Sequence, residues 1–251
     1  MMSGIFSPAF LQSAGRAGKA KENIIYFINN SQDAHIINMY CSGTITIRST
    51  KNGSAIEETY TDLTHAEVTV QNDANTTVEI VGDVTKLNFS ESRGTYVGCT
   101  DLVYLDVSQC NSLTNLGIDG NTILENLSIN GAKQLKDIRV TYTIGLKEFL
   151  LYNLPELISI TMGSENSGVL EKVYFINTPN LTSFGLYSPP NTAKEIKYAA
   201  INSNVSNYLA TLISAASSSD GVLYTDANGA YYSTIADAAT AKGWTIAQLP
   251  A

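Results

Sequence analysis

The sequence is short of most side chains that carry chemistry. It has only two histidines, His35 and His65, far apart in the chain. That is too few for an ordinary zinc centre, and nothing pairs either one into a histidine-based triad. It has three cysteines, Cys41, Cys99 and Cys110, with no C-x-x-C spacing. An odd, sparse set is not a disulfide framework; it reads as free buried thiols, with one bridge left open. Charged residues make up 15% of the 251 positions, against about a quarter in an average domain. The polar surface must therefore come from Asn, Thr, Ser and Tyr. No basic cluster offsets the net charge of −8; the densest is Arg16–Lys21. Nucleic acid and anionic membranes are therefore not expected partners. No apolar run approaches the ~20 residues of a membrane span. The start, "MMSGIFSPAFLQSAGRAGKAK", has no positive side chain before its apolar part, and Pro8 interrupts that part. It does not read as a secretory signal, so export by the general secretory route is not expected. There is no G-x-S-x-G or phosphate-loop motif, and "DANG" (226–229) lacks the later ligands of a calcium loop. No cofactor or metal is expected.

What is present is a repeat. Hydrophobic residues make up 44% of the chain, and from residue 102 they recur with a fixed period. The units "LVYLDVSQCNS" (102–112), "LTNLGIDGNTI" (113–123), "LENLSINGAKQ" (124–134), "LKDIRVTYTIG" (135–145), "LKEFLLYNLPE" (146–156) and "LISITM" (157–162) place six leucines eleven apart. Each follows L-x-x-φ-x-φ, with φ apolar. An eleven-residue period also suits a right-handed coiled coil. But Gly, Asn and Thr stand where a helix should continue, and alternation at positions four and six is a strand signature. With insertions, the period extends to units aligned at Val84, Leu170, Leu181 and Ile196. Leu124 and Leu146 are expected to stack on one face, and Leu113, Leu135 and Leu157 on the other.

The pattern L-x-x-L-x-[IV]-x-x-[NC] resembles the leucine-rich repeat, with two units making one coil of ~22 residues. "CTDLVYLDVSQCNSL" and "NTILENLSING", and the closing "AATAKGWTI", are similar to short-repeat proteins of Bacteroidetes and their phages, including the crAss-like group. The ninth position holds Cys110, Asn121, Ala132, Thr143 and Leu154, so some turns are expected to lack the family's side-chain hydrogen bonds. The expected fold is mainly β: a leucine-rich-repeat-like β-solenoid with an N-terminal β cap and a C-terminal α/β cap. Residues 1–22 would be a docking arm, 23–83 the β cap, 84–201 the solenoid and 202–251 the α/β cap. In the first cap "TITIRS" (44–49), "AEVTV" (66–70) and "TTVEIVG" (76–82) read as strands, and "KNGS" (51–54) as a hairpin turn. In the last, 204–218 and 231–243 read as helices, the second stopping at Gly243. Trp244 is expected in the core.

The resemblance implies a non-enzymatic virion structural protein of a Bacteroidetes phage: capsid decoration, head fibre or tail component. Its implied location is the virion. Its partners would be other virion proteins, met through Ile5, Phe6, Phe10 and Leu11 of the arm. A homo-oligomer and a host surface protein or glycan are further open partners. The alternative is a bacterial leucine-rich-repeat adhesin or interaction scaffold, at the cell surface or in the cytoplasm. A β-solenoid polysaccharide-degrading enzyme is the remaining rival; it needs clustered acids beside a base on adjacent coils. Here the outward charges, from Asp106 and Glu125 through Arg139 to Lys172, are of mixed sign and read as a solvated face. The insertions 90–98, 163–168 and 187–195 each follow a unit of the face begun by Val84 and Leu113. They would emerge along one edge, making Arg93, Tyr96, Tyr142, Glu165, Asn166 and Tyr187 the candidate interaction residues.

Overall fold

Alternating apolar and polar residues between 24 and 88 become antiparallel strands. The computed structural model describes residues 23–32, 34–89, 101–162, 170–186, 191–226 and 231–249. The first strands are β1 (Ile24–Asn29), β2 (His35–Cys41), β3 (Thr44–Lys51), β4 (Ser54–Thr61), β5 (Ala66–Val70), β6 (Thr77–Val81) and β7 (Val84–Asn88). The three segments expected as strands are β3, β5 and β6. β2 lacked a clean alternation because "IINMY" is nearly continuous apolar sequence. β4 lacked it because this edge strand is largely exposed on both faces. The β3–β4 turn is the expected hairpin: Asn52 (φ 53°) and Gly53 (φ 71°) both take the left-handed conformation that a two-residue turn requires. The Asp73 carboxylate accepts the N–H groups of Asn52 at 2.8 Å and Gly53 at 2.9 Å.

The repeat follows as β8 (Leu102–Asp106), β9 (Asn115–Gly117), β10 (Asn126–Ser128), β11 (Asp137–Val140), β12 (Glu148–Tyr152), β13 (Ser159–Met162), β14 (Lys172–Ile176), β15 (Ser183–Leu186) and β16 (Glu195–Ala199). Successive strands go alternately to one side and the other. β7, β9, β11, β13 and β15 are parallel neighbours in one sheet, in register Leu87–Leu116–Ile138–Ile160–Phe184. β8 pairs with β10, Leu105 beside Leu127, and β12 with β14 and β16, in register Phe149–Val173–Ile196. We call the first set face B and the second face A. Positions one, four and six point inward: Leu102, Leu105 and Val107 are fully buried, as are Leu135, Ile138 and Val140. The ladders do not stop at the start of the repeat. β7 pairs antiparallel with β2, and β8 antiparallel with β1. The molecule is thus mainly β with mixed and parallel sheets, and among the described residues no sheet closes into a barrel.

Two expectations need correction. The last face-A unit does not start at Ile196. Ile196 pairs with Val173, a fourth position, so the unit starts at fully buried Ala193. Alanine gives little apolar signal, which displaced the frame by three residues. Leu124 and Leu146 are both buried on face A, but β10 and β12 form no ladder between them.

After β16 the chain no longer sends a strand to face B. Helix α1 (Ser203–Ala215) takes that role, then β17 (Val222–Thr225), helix α2 (Tyr232–Lys242) and β18 (Thr245–Gln248). β17 and β18 continue face A, Ile196–Leu223–Ile246 in register. The side chain of Asn202 caps α1 by accepting the N–H groups of Asn204 and Val205, and Gly243 (φ 81°) ends α2. Both helices lie where the sequence places them. Tyr208 of α1 stacks on Phe184 of β15 at 4.8 Å, joining helix and face B in one core that runs from Ile25 to Trp244.

Candidate interaction surface

Since positions one, four and six are buried, positions three, five and seven of each face-A strand point outward. From β12 to β17 these are Glu148, Leu150 and Tyr152, then Lys172, Tyr174 and Ile176, then Glu195 and Lys197, then Val222 and Tyr224. Parallel sheets usually have both faces covered. Here no described element covers the outer one, and the side chains cover each other. The Lys197 ammonium lies 4.7 Å from the ring centre of Tyr174 and 4.7 Å from that of Tyr224. Each such contact contributes about 0.5–2 kcal/mol, depending on desolvation. Tyr152 meets Tyr174 edge-on at 5.9 Å. The Tyr174 hydroxyl donates to Glu195, and Lys197 pairs with the same carboxylate at 3.1 Å. Lys172 pairs with Glu148 at 2.5 Å. Tyr174 is thereby buried although it points away from the core.

These contacts fix the charge states. Burial, then the bond to Glu195, pushes the Tyr174 hydroxyl far up. Burial, then the nearby glutamates, raises Tyr152. For Glu195 burial works upward, but the bonds from Tyr174 and Lys197 outweigh it and hold the carboxyl below its ordinary value. The bond to Glu148 raises Lys172, against a smaller effect of burial. Each of these four shifts moves away from neutrality, so none of these groups is poised to exchange a proton there. The surface is aromatic, internally packed and charge-balanced, which suits recognition by contact.

The turns from face B to face A form a second surface. Position eight takes the left-handed conformation at Gly120 and Tyr142 on these turns, as it does at Gly131, Asn153, Asn177 and Ala200 on the turns that leave face A. Glycine and asparagine tolerate this; a tyrosine there is strained. Asp119, itself buried, holds the strained turn. Its carboxylate accepts the Thr141 N–H at 3.0 Å and the Thr141 hydroxyl at 2.6 Å, and pairs with Arg139 at 2.6 Å. Beneath the turn, Asn121 donates to the Ile118 carbonyl at 2.7 Å. The turn leaves two large apolar side chains exposed, Tyr142 at 36% and Ile144 at 43%.

Of the residues the sequence singled out, Tyr142 is on this edge and exposed. Arg93, Tyr96, Glu165, Asn166 and Tyr187 lie outside the described residues, as do Ile5, Phe6, Phe10, Leu11 and Cys99. Cys41 and Cys110 are free and buried. His35 is buried with Nδ1 3.4 Å from Asp101, and His65 rests on the Tyr40 ring at 5.3 Å. Among the described residues no group of acids, histidines or cysteines could hold a metal, and no helix is long and apolar enough to cross a membrane. Sequence reasoning missed the cluster around Lys197. The displaced frame put Lys197 at a second position when it is a fifth, the outward position that Tyr174 also holds. Tyr224 escaped notice because a helix separates it from β16.

No protein-family model, curated protein or solved structure matches the chain.

Proposed function

We propose that the chain is a capped, leucine-rich-repeat-like solenoid that works by binding and not by catalysis, as a structural component of a Bacteroidetes phage virion. The solenoid reading is supported by parallel strands that alternate between two faces, with a step of 22 residues where no insertion intervenes, as from Leu105 to Leu127 and from Leu116 to Ile138. The virion reading rests on the resemblance of the repeats and of the closing segment to those of that group. The observation that carries the binding reading is the Tyr174–Lys197–Tyr224 stack. It sets half-buried Tyr152 and Tyr224 beside Lys197, backed by buried Tyr174, on a regular sheet whose charges are already paired, so a partner need not neutralise it.

The test is direct. An antiserum to the chain, applied to purified particles of the encoding phage, should label them. A chain abundant in the lysate but missing from particles would end the virion reading. Lys197→Ala with Tyr224→Ala should keep the far-ultraviolet circular dichroism spectrum and weaken attachment to the particle by at least about tenfold. Unchanged attachment of a folded double variant would remove the face-A stack from the binding surface.

A further inference from the structure

The same backbone bonds join almost every pair of neighbouring parallel strands in the repeat. The second residue of each unit, or the one after it, donates its N–H to the second-position carbonyl of the neighbouring unit. On face B this runs Thr114 to Thr85, Lys136 to Thr114, Ile158 to Lys136 and Thr182 to Ile158. On face A it runs Glu125 to Val103, Glu171 to Lys147, Lys194 to Glu171, Val222 to Lys194 and Thr245 to Gly221. One link is missing: neither Lys147 nor Glu148 donates to Glu125. Two more bonds fail at the same place. Ile118 donates to Arg139 and Val107 to Ser128, yet Ile129 makes no equivalent bond to Leu150. Gly120 donates to Thr141 and Asn153 to Ile176, yet Gly131 makes none to Tyr152.

The side chains agree. Leu127 is a fourth-position residue and so belongs to the core. It is only partly buried, whereas Leu105, Leu116, Ile138 and Phe149 around it are essentially inaccessible. A single polar contact crosses the gap in place of the ladder: the Tyr152 N–H donates to Oδ1 of Asn130 at 3.0 Å, in an exposed setting. On the opposite face the corresponding strands are doubly fastened. β9, β11 and β13 keep their backbone register, and the Asp137 carboxylate accepts from Asn115 at 2.8 Å and from Ser159 at 2.8 Å.

We propose that the junction of β10 and β12 is a one-sided hinge. Face B is its unbroken leaf, and face A opens and closes about it. With three backbone bonds missing on that side, opening there breaks no ladder and costs little, while the same motion on face B would break a complete one. Motion at this junction changes the angle between the outer surface carrying Tyr104 and Asp106 and the one carrying Tyr152, Tyr174 and Lys197. It changes the curvature of the sheet without unfolding either half. The inference does not depend on any partner.

Two measurements on the full chain test it. In hydrogen exchange, the amides of Ile129, Gly131, Lys147 and Glu148 should exchange at least about tenfold faster than their counterparts Ile118, Gly120, Lys136 and Asp137. Equal protection would mean that the ladder exists and the hinge does not. Spin labels at Glu125→Cys and Lys147→Cys, with the native cysteines replaced by alanine, should give a broader distance distribution than labels at Lys147→Cys and Glu171→Cys. If the two distributions are equally narrow while the amides exchange fast, the junction is a fixed gap and the hinge proposal is overturned.

Discussion

The Trp244 indole lies directly on Gly221: a Cβ built on Gly221 would come within 2.3 Å of the ring. The indole N–H also donates to the Ser218 carbonyl at 2.9 Å. The ring is thus fixed against the loop that leads from α1 into β17. Gly221→Ala should destabilise the chain by roughly 1–3 kcal/mol through overpacking. Trp244 is the only tryptophan, so its fluorescence during urea unfolding reports this region directly. A midpoint equal to that of the wild type would mean that the ring has room to move.

Asp119 has a different task, holding a strained turn. Asp119→Ala leaves the Thr141 hydroxyl and N–H without their acceptor and Arg139 without its partner. Because Arg139 is half exposed, its pairing contributes little. The two bonds to Thr141 set the cost, about 2–4 kcal/mol, measurable as a shift in denaturant midpoint. Asp119→Asn keeps one acceptor oxygen and should lose less. If both variants lose equally, charge and not hydrogen bonding holds the turn.

Asp73 makes the hairpin sensitive to acid. The N–H groups of Gly53, and then Asn52, stabilise its carboxylate and hold its pKa below the ordinary value. A depressed carboxylate stabilises the fold above its unfolded pKa, and that contribution fades as pH falls through the folded pKa. In an NMR titration the amide signals of Asn52 and Gly53 should therefore shift together, with a midpoint below about 3.9. A midpoint above that value would contradict the two bonds. Asp73→Ala should abolish the transition.

Among the described residues strand β4 is a sheet edge with no strand beyond it, and its side chains are exposed on both faces. Such an edge invites a second chain unless something repels it. Glu57 and Glu58 sit at its middle, where antiparallel pairing of two copies would bring like charges together. Glu57→Thr with Glu58→Thr should raise self-association with concentration, seen by light scattering against the wild type. Identical scattering would assign the edge's protection to something else.

The clasp at the gap gives a graded prediction. Asn130→Ala removes the acceptor for the Tyr152 N–H and should speed exchange of that amide several-fold. Asn130→Asp retains an acceptor and should not. Equal rates in all three chains would show that the contact is not made in solution.

Much of this architecture can be read in the residues themselves, but unevenly. The inward positions were legible because a strand's two-residue period is simple and apolar residues, mostly Leu, Ile and Val, fill positions one, four and six. The hairpin turn was legible because Asn-Gly has few uses. Position eight was not, because Tyr142 does by tertiary support what Gly120 and Gly131 do by intrinsic freedom. The gap beside Leu127 is invisible in sequence: Leu124, Leu127 and Ile129 follow the pattern as well as any unit. What differs there is how neighbouring strands meet. The Lys197 cluster is a property of strand order, joining residues that a helix holds apart in the chain.

Alternation between two sheets also quantises the chain's length. Removing residues 113–134 would take one strand from each face and leave every later strand where it is. Removing 113–123 alone would send the strand at Leu124 to face B, and with it reverse every strand and both helices that follow. An array built on this plan can lengthen or shorten only by even numbers of units. The smallest duplication that preserves its two sides is a pair.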